Sequence, residues 1–248
     1  MIGSPVWRIF NYGLLPALKY FLTHRLGSKS SNKNLEILSI ADFAKKIGVD
    51  DKDPETNSRT AVKSMMQSMR GQAESELYGQ KIKNVLDVDS SISRLILLEL
   101  AIRSGQFKSY IETGTQHGLS AFIVGETSQR LGLEMRIVSF DVSHNQYFIK
   151  STEANYSCLS WPARRTFKKQ TLNLKNEPLI FFHDSDHSYE NMFFEFKWAW
   201  EALEAVVIIS DDIDGNDAFY DFCKAHKIKG YRVMIDDGPA VGFSMRGI

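Results

Sequence analysis

From Lys108 onward the chain repeats one unit. A short run of apolar, β-branched and aromatic residues ends in an acidic or glycine-rich cluster, then gives way to apolar residues at helical spacing. KSYIET (108–113), MRIVSFD (135–141), PLIFFHD (178–184) and AVVIISDD (205–212) read as strands. GLSAFIVGETSQRLG, HSYENMFFEFKWAWEAL and NDAFYDFCKAHKI read as the helices between and after them. Strands that are apolar throughout must be covered on both faces, which points to a mostly parallel sheet between two helical layers. YRVMI (231–235) and AVGFSMR (240–246), joined by the turn DDGP, must pair antiparallel. The expected fold is an open α/β sheet with an antiparallel hairpin at its C-terminal edge.

The remainder of the chain is helical or open in this reading. DSSISRLILLELAIRSG forms a helix capped by Asp89 or Ser90 and ending near Gly105. In the helix after the third strand, Tyr189, Met192, Phe193, Phe196, Trp200 and Leu203 make one apolar stripe that packs on the sheet. Glu190, Glu195, Lys197 and Glu201 fall off that stripe. Residues 1–85 are expected to form an N-terminal segment that serves as a cap, a dimerisation element or a membrane-surface contact, and residues 86–248 the α/β domain in which a ligand-binding site is to be sought. Within the segment, Val6 to Leu22 reads as a helix packing on the core or on a second subunit, ahead of an interfacial membrane helix. It is short for a span and lacks the flanks of a signal peptide. Gly27 to Asn34 is a linker, LEILSIADFAKKIGV one short helix, Asp51 to Thr60 a polar break, and 61 to about 84 helical or partly mobile. Residues 145–175 fit either strand or helix.

Composition excludes some partners. Thirty basic and thirty acidic residues leave no formal net charge, so no field favours nucleic acid or an anionic surface. The basic run Arg164, Arg165, Lys168, Lys169 reads as a solvated face. Two cysteines, Cys158 and Cys223, make neither a disulfide framework nor a zinc spacing, and a reducing cytoplasm is expected.

Open parallel sheets bind ligands beyond the carboxyl ends of their strands. Here those ends carry Glu112, Gly114, Thr115, Gly118 and Ser120, then Asp141, then Asp184 and Asp186, then Asp211 and Asp212. Gly114 and Gly118 allow a tight turn and close approach of a ligand to the backbone. They are not the dinucleotide G-x-G-x-x-G, and Glu112 would repel a pyrophosphate while suiting a ligand with an amino group. Asp141 is placed to accept hydrogen bonds from a ribose diol. An ammonium and a ribose without a diphosphate describe S-adenosylmethionine. His183 and His187 straddle a strand end, and alternation turns His183 to the face opposite Asp184, so zinc is not expected there.

From about residue 86 to 248 the chain resembles class I S-adenosylmethionine-dependent methyltransferases. IETGTQHGLS resembles the E-x-G-x-x-x-G-x-S loop of their catechol and sugar O-methyltransferase branch. FFHDSDHSYEN followed by IISDDI resembles the D-x-D-H-x-Y-E and D-D pair of metal-dependent small-molecule enzymes such as the macrocin and rhamnosyl O-methyltransferases and cephalosporin-hydroxylase-like proteins. Gln116 stands where many relatives carry a glycine, and EALEAVVIIS lacks their Gly-Gly turn. The resemblance implies a Rossmann-like seven-stranded sheet. It implies Glu112, Gly114, Thr115, Gly118, Ser120, Asp141 and Asp184 as cofactor contacts, and Asp184, Asp211 and Asp212 as ligands of Mg²⁺, a hard cation that prefers oxygen. It implies Asp186 or His187 as the group that takes the proton of a small-molecule hydroxyl, a sugar or glycosylated metabolite. Acceptor contacts are expected from residues 1–85 and 143–176. The alternatives are an NAD- or nucleotide-sugar-binding enzyme, or a methyltransferase-fold protein that binds without catalysis.

Overall fold

Residue parity along the strands decides which side chains meet which helices. In β5 (Leu179–His183), Leu179 and Phe181 join a core with Met192 and Phe196, whereas Ile180 and Phe182 join a second core with Leu95 and Phe122. In β2 (Ser109–Thr113), Tyr110 and Ile111 divide in the same way, as do Val207 and Ile208 in β6 (Val207–Ser210). This period of two turns each apolar strand into a partition with a helical layer on either side.

The protein is described from a computed structural model, which covers residues 34–73, 92–115, 118–141, 155–160, 164–234 and 240–247. The sheet also contains β1 (Glu36–Leu38), β3 (Arg136–Asp141), β4 (Asn155–Ser160), β7 (Tyr231–Val233) and β8 (Val241–Met245), in the order β1-β7-β8-β6-β5-β2-β3-β4. β8 runs antiparallel to both its neighbours, and the other pairs are parallel. Strands β2 to β8 make the expected mostly parallel, Rossmann-like sheet, and β1 adds an eighth strand at its edge. One layer holds α1 (Ile40–Lys46), α2 (Pro54–Ala73), α3 (Ile92–Arg103) and α4 (Leu119–Arg130). The other holds α5 (Arg164–Thr171), α6 (Tyr189–Glu201) and α7 (Ala218–His226).

Several expectations change. LEILSIADFAKKIGV is not one helix: Glu36 to Leu38 pair with Tyr231 to Val233, and the Ser39 hydroxyl then caps α1 by accepting from the Asp42 amide at 3.1 Å. The polar break at 51–60 is mostly helix. Asp53 accepts from the Thr56 amide at 3.2 Å, and Pro54 occupies the first helical position, where no amide hydrogen is needed. The hairpin strands do pair with each other, but β8 lies inside the sheet between β7 and β6, and β1 takes the edge. Within the ambiguous stretch the described residues form β4 and α5, and residues 145–154 and 161–163 lie outside the described residues. Tyr189 leaves the apolar stripe: it is 36% exposed, stacks on Phe193 and donates to Asp221 at 3.0 Å. Lys168 does not simply face solvent but sits over the Trp198 ring at 4.6 Å. Residues 6–22, the linker up to Lys33, residues 74–85, the Asp89 or Ser90 cap and the DDGP turn lie outside the described residues.

The described portion of the N-terminal segment shares the core of the sheet. Phe43 of α1 meets the Phe243 ring of β8 edge-on at 4.7 Å, and Val62 and Met65 of α2 are fully withdrawn from water. Ser58 of α2 binds the buried carboxylate of Glu99 on α3, and Arg103 of α3 reaches back to Asp51 at 2.6 Å. These contacts fix the direction of α3, whose first turn points at the carboxyl ends of the strands. Among the described residues no helix is long and apolar enough to cross a membrane.

Candidate active site

Strand pairing sets Thr113, His183 and Ser210 in one row, and it continues one residue further. The Asp184 amide donates to the Thr113 carbonyl and the Asp211 amide to the His183 carbonyl, both at 2.9 Å. Thr113 is also paired with Phe140, the residue before Asp141. The predicted site residues of four strands therefore stand along one sheet edge. Parity then sorts them onto two faces, and each face carries its own polar cluster.

On the face toward α3 and α4, Glu112 is 1% exposed and accepts three hydroxyl hydrogen bonds. They come from Tyr110 and Ser120 at 2.6 Å and from Ser139 at 2.7 Å. These donors hold a buried carboxylate that would otherwise be costly. The Tyr110 hydroxyl is in turn kept protonated, because burial and the adjacent Glu112 push its pKa well up. Glu112 thus fixes the start of α4 against β2 and β3 beneath the glycine loop.

The loop itself is stitched to β3. The amides of Gly114 and Thr115 and the Thr115 hydroxyl all donate to the Phe140 carbonyl, at 2.8, 3.2 and 3.2 Å. This draws the loop alongside Asp141. Gly114 (φ 88°) and Gly118 (φ 87°) both take the left-handed conformation that favours glycine. A Cβ on Gly114 would lie 1.9 Å from the Asp184 carbonyl oxygen, so the loop after β2 rests directly on the loop after β5.

Asp184 and Asp211 lie on the same face, and a residue with no place in the sequence reading stands between them. Arg94, in the first turn of α3, has Nε 3.5 Å from Asp184 Oδ2 and Nη1 3.3 Å from Asp211 Oδ2. The three side chains are 14, 23 and 6% exposed. Burial pushes the Asp184 carboxyl well above the usual carboxylate range; Arg94 opposes the rise, and Asp211, Asp212 and Glu112 add to it. Asp212 follows in a left-handed conformation, φ 48° and ψ 41°, which aspartate tolerates better than most residues. Burial raises its carboxyl too, against the pull of Arg94 and with the push of Asp214. The signal for Arg94 was present in ISRLILLELAIR as a cation near the start of an otherwise apolar helix, which needs buried acidic partners.

On the opposite face, His183 is fully buried as expected. Its Nδ1 donates to Glu195 Oε2 at 2.7 Å. Glu195 corrects its placement off the packed stripe: it is 0% exposed and gathers further donors from Thr113 at 2.6 Å, Asn191 at 2.9 Å and Ser185 at 3.2 Å. Asn191 also donates to the Asp186 carbonyl at 3.1 Å, which fixes the turn bearing the proton-acceptor candidates. Glu195 and Asn191 were missed because helical spacing from Tyr189 sets both well off the apolar stripe, and only a buried histidine opposite explains them.

The two candidate bases differ. Asp186 is half-buried, and its carboxylate accepts from the Ser188 hydroxyl at 3.0 Å and the Ser188 amide at 3.3 Å. His187 is pressed edge-on against the His183 ring, with centroids 5.2 Å apart. Burial, then His183, lowers its pKa to about 3, so its imidazole is neutral near pH 7 and a weak base.

Residues 111–213 match the family model described as a methyltransferase domain. This stretch is similar to a methyltransferase domain. Its match runs from the second core residue of β2 to just beyond Asp212, and so spans every strand end described above. Among solved structures, the chain resembles an O-methyltransferase of Bacillus cereus in complex with S-adenosylhomocysteine. The TM-score is 0.51 and the identity 18%, over 75% of this chain and 91% of that one. It also resembles an S-adenosylhomocysteine-bound methyltransferase of Podospora anserina, with TM-score 0.52 and 13% identity over 73% of this chain and 87% of that one. At these identities the likeness is one of fold. No curated protein matches the sequence.

The residues expected to hold Mg²⁺ do not fit it as placed. Asp184 and Asp211 turn their Oδ2 atoms to the Arg94 guanidinium. No group of three His, Cys, Asp or Glu side chains among the described residues converges as an ion cage. A divalent ion between these carboxylates would meet a fixed positive charge.

Gly114→Ala should lower the unfolding midpoint and the affinity for a ligand in the glycine loop together, because the added methyl forces the loops after β2 and β5 apart. Calorimetric melting and S-adenosylhomocysteine titration check this; an unchanged melt would show that these loops do not bear on each other. His187 gives a pH dependence. Its folded pKa, about 3, lies below its ordinary 6.5, so the unfolded chain binds the proton first as pH falls. Its contribution is complete above about pH 6.5 and is lost toward pH 3. Urea unfolding of the wild type should lose on the order of 1–2 kcal/mol more between pH 7 and pH 5 than His187→Gln does.

Proposed function

We propose that this protein transfers the methyl group of S-adenosylmethionine to a hydroxyl oxygen of a small molecule. The observation that carries the reading is the alignment of the glycine loop and Asp141 on one sheet edge, made by the three donations to the Phe140 carbonyl. That alignment sets flexible-backbone glycines beside a carboxylate, the pair that a ribose and an aminoacyl chain require. The methyltransferase domain match supports the reaction class. The S-adenosylhomocysteine in the two similar structures supports the cofactor. A sugar or glycosylated metabolite as acceptor rests on the resemblance of FFHDSDHSYEN to the corresponding enzymes.

Methyl transfer from a sulfonium needs an oxygen nucleophile in line with the methyl carbon, so most of the work is positioning. The nucleophile loses its proton to a neighbouring group. We assign that task to Asp186. It lies two residues beyond Asp184, on a turn fixed by Asn191, and it keeps access to solvent. His187 is disfavoured because its neutral ring has little affinity for a proton. In this reading Glu112 and Glu195 shape the site without touching the reacting atoms, since both are saturated by internal donors.

Isothermal titration with S-adenosylhomocysteine and methyl transfer to a panel of hydroxyl compounds test the proposal. Asp141→Ala should weaken cofactor binding by about tenfold, the loss of one good hydrogen-bonding group. Asp186→Asn should lower kcat by about 100-fold or more with cofactor affinity retained, whereas His187→Gln should stay within a few-fold of wild type. Binding of NAD in place of S-adenosylhomocysteine would overturn the reading.

A further inference from the structure

The Mg²⁺ expected from the sequence and the guanidinium found in the structure compete for one place. We propose that Arg94 is the resident cation of this site: its guanidinium fills the space between Asp184 and Asp211, so that the protein binds no divalent ion there and works without one. The second half of that statement rests on the function proposed above; the first half does not.

Three observations carry the proposal. Arg94 bridges two carboxylates from adjacent strands through two different nitrogens, Nε to Asp184 and Nη1 to Asp211. The guanidinium donates a hydrogen bond to Asp211 through Nη1 and pairs with Asp184 by charge alone, so one delocalised cation lies against both carboxylates. The bridge is sheltered, with Asp211 6% and Arg94 14% exposed, so water screens it little. Finally, Arg94 stands in the first turn of α3, at the positive end of the helix dipole, where a cation is disfavoured unless anions face it. Asp184 and Asp211 are those anions. Parity fixes the arrangement: Asp184 follows Ile180 and Phe182, and Asp211 follows Val207 and Ile209, onto the α3 face. The staple of α3 to α2 through Glu99 and Arg103 then holds the helix end in position.

The consequence is an exchange relation. With Arg94 in place, an incoming divalent ion must displace a charge that is tethered to the same two oxygens. With Arg94 truncated, two carboxylates face each other with a space between them, and Asp212 stands next in the chain. Hard cations take such oxygen sets with dissociation constants reaching the millimolar range.

The test is titration of MgCl₂ and of MnCl₂ into the full chain, by calorimetry and by thermal melting, for wild type, Arg94→Ala, Arg94→Lys and the double variant Arg94→Ala/Asp184→Asn. Wild type and Arg94→Lys should show no saturable binding up to the order of 1 mM, and Arg94→Ala should bind at least about tenfold tighter than wild type. The double variant should lose that gain. Saturable one-to-one binding by wild type that is lost in Asp184→Asn overturns the proposal, as does a folded Arg94→Ala that binds no better than wild type. Should Arg94→Ala fail to fold, Arg94→Gln replaces it, and the wild-type titration alone still decides against the proposal or for it. These readouts are independent of methyl transfer. Once an acceptor is found, wild-type turnover should be unchanged within about twofold in EDTA, and that of Arg94→Ala should become responsive to Mg²⁺. Wild-type turnover abolished by EDTA and restored by Mg²⁺ also overturns it. Absence of any turnover counts against the function proposed above and leaves the binding comparison to stand on its own.

Discussion

Two backbone hydrogen bonds, Asp184 N to Thr113 O and Asp211 N to His183 O, carry strand pairing one residue past the ends of β5 and β6. Everything in the candidate site hangs on them. They keep the pleat in force at the point where the chain would otherwise be free to turn. Neighbouring residues therefore still face opposite layers: His183 and Thr113 go to α6, Glu112 and Asp184 to α3 and α4. One sheet edge thus supports two separate polar clusters that would quench each other if a strand slipped by a single residue.

The two clusters answer the burial of charge in different ways. Glu112 and Glu195 are surrounded by neutral or imidazole donors, mostly hydroxyls and amides, so each carboxylate is held by several directed bonds. Asp184 and Asp211 instead share a full countercharge. The first arrangement is rigid and inert. The second is electrostatically tense, since burial and mutual repulsion raise Asp184 while Arg94 restrains it. The second lies next to the exposed Asp212, and the turn that carries Asp186 joins it to the Glu195 cluster through Ser185 and Asn191.

Much of this was legible in the sequence, for a physical reason. Parallel strands buried on both faces must be apolar throughout, so PLIFFHD and AVVIISDD announce themselves, and the first acid after each run marks its carboxyl end. The separation of His183 from Asp184 followed from the same period of two. What escaped were residues whose partners are remote in sequence. Arg94 meets Asp211 across 117 positions, and Glu195 is explained by a histidine on another element. β1 escaped because a three-residue strand has too few side chains to display a period, and its apolar residues ran on into those of α1. The break at 51–60 was read as polar composition alone, although Asp53-Pro54-Glu55 is a helix start.

The placement of β8 bears on how such a chain is made. It is the last described strand in chain order, yet it lies in the interior of the sheet, between β7 and β6. During synthesis β6 can join β5 early, whereas β7 and β1 have no strand partner in that growing sheet until Val241–Met245 emerges. β1 and β7 meet across about two hundred residues, so their pairing closes one of the longest loops in the molecule. A ribosome-bound chain still lacking β8 would expose β6 as an open edge, a surface on which nascent chains aggregate and which chaperones cover.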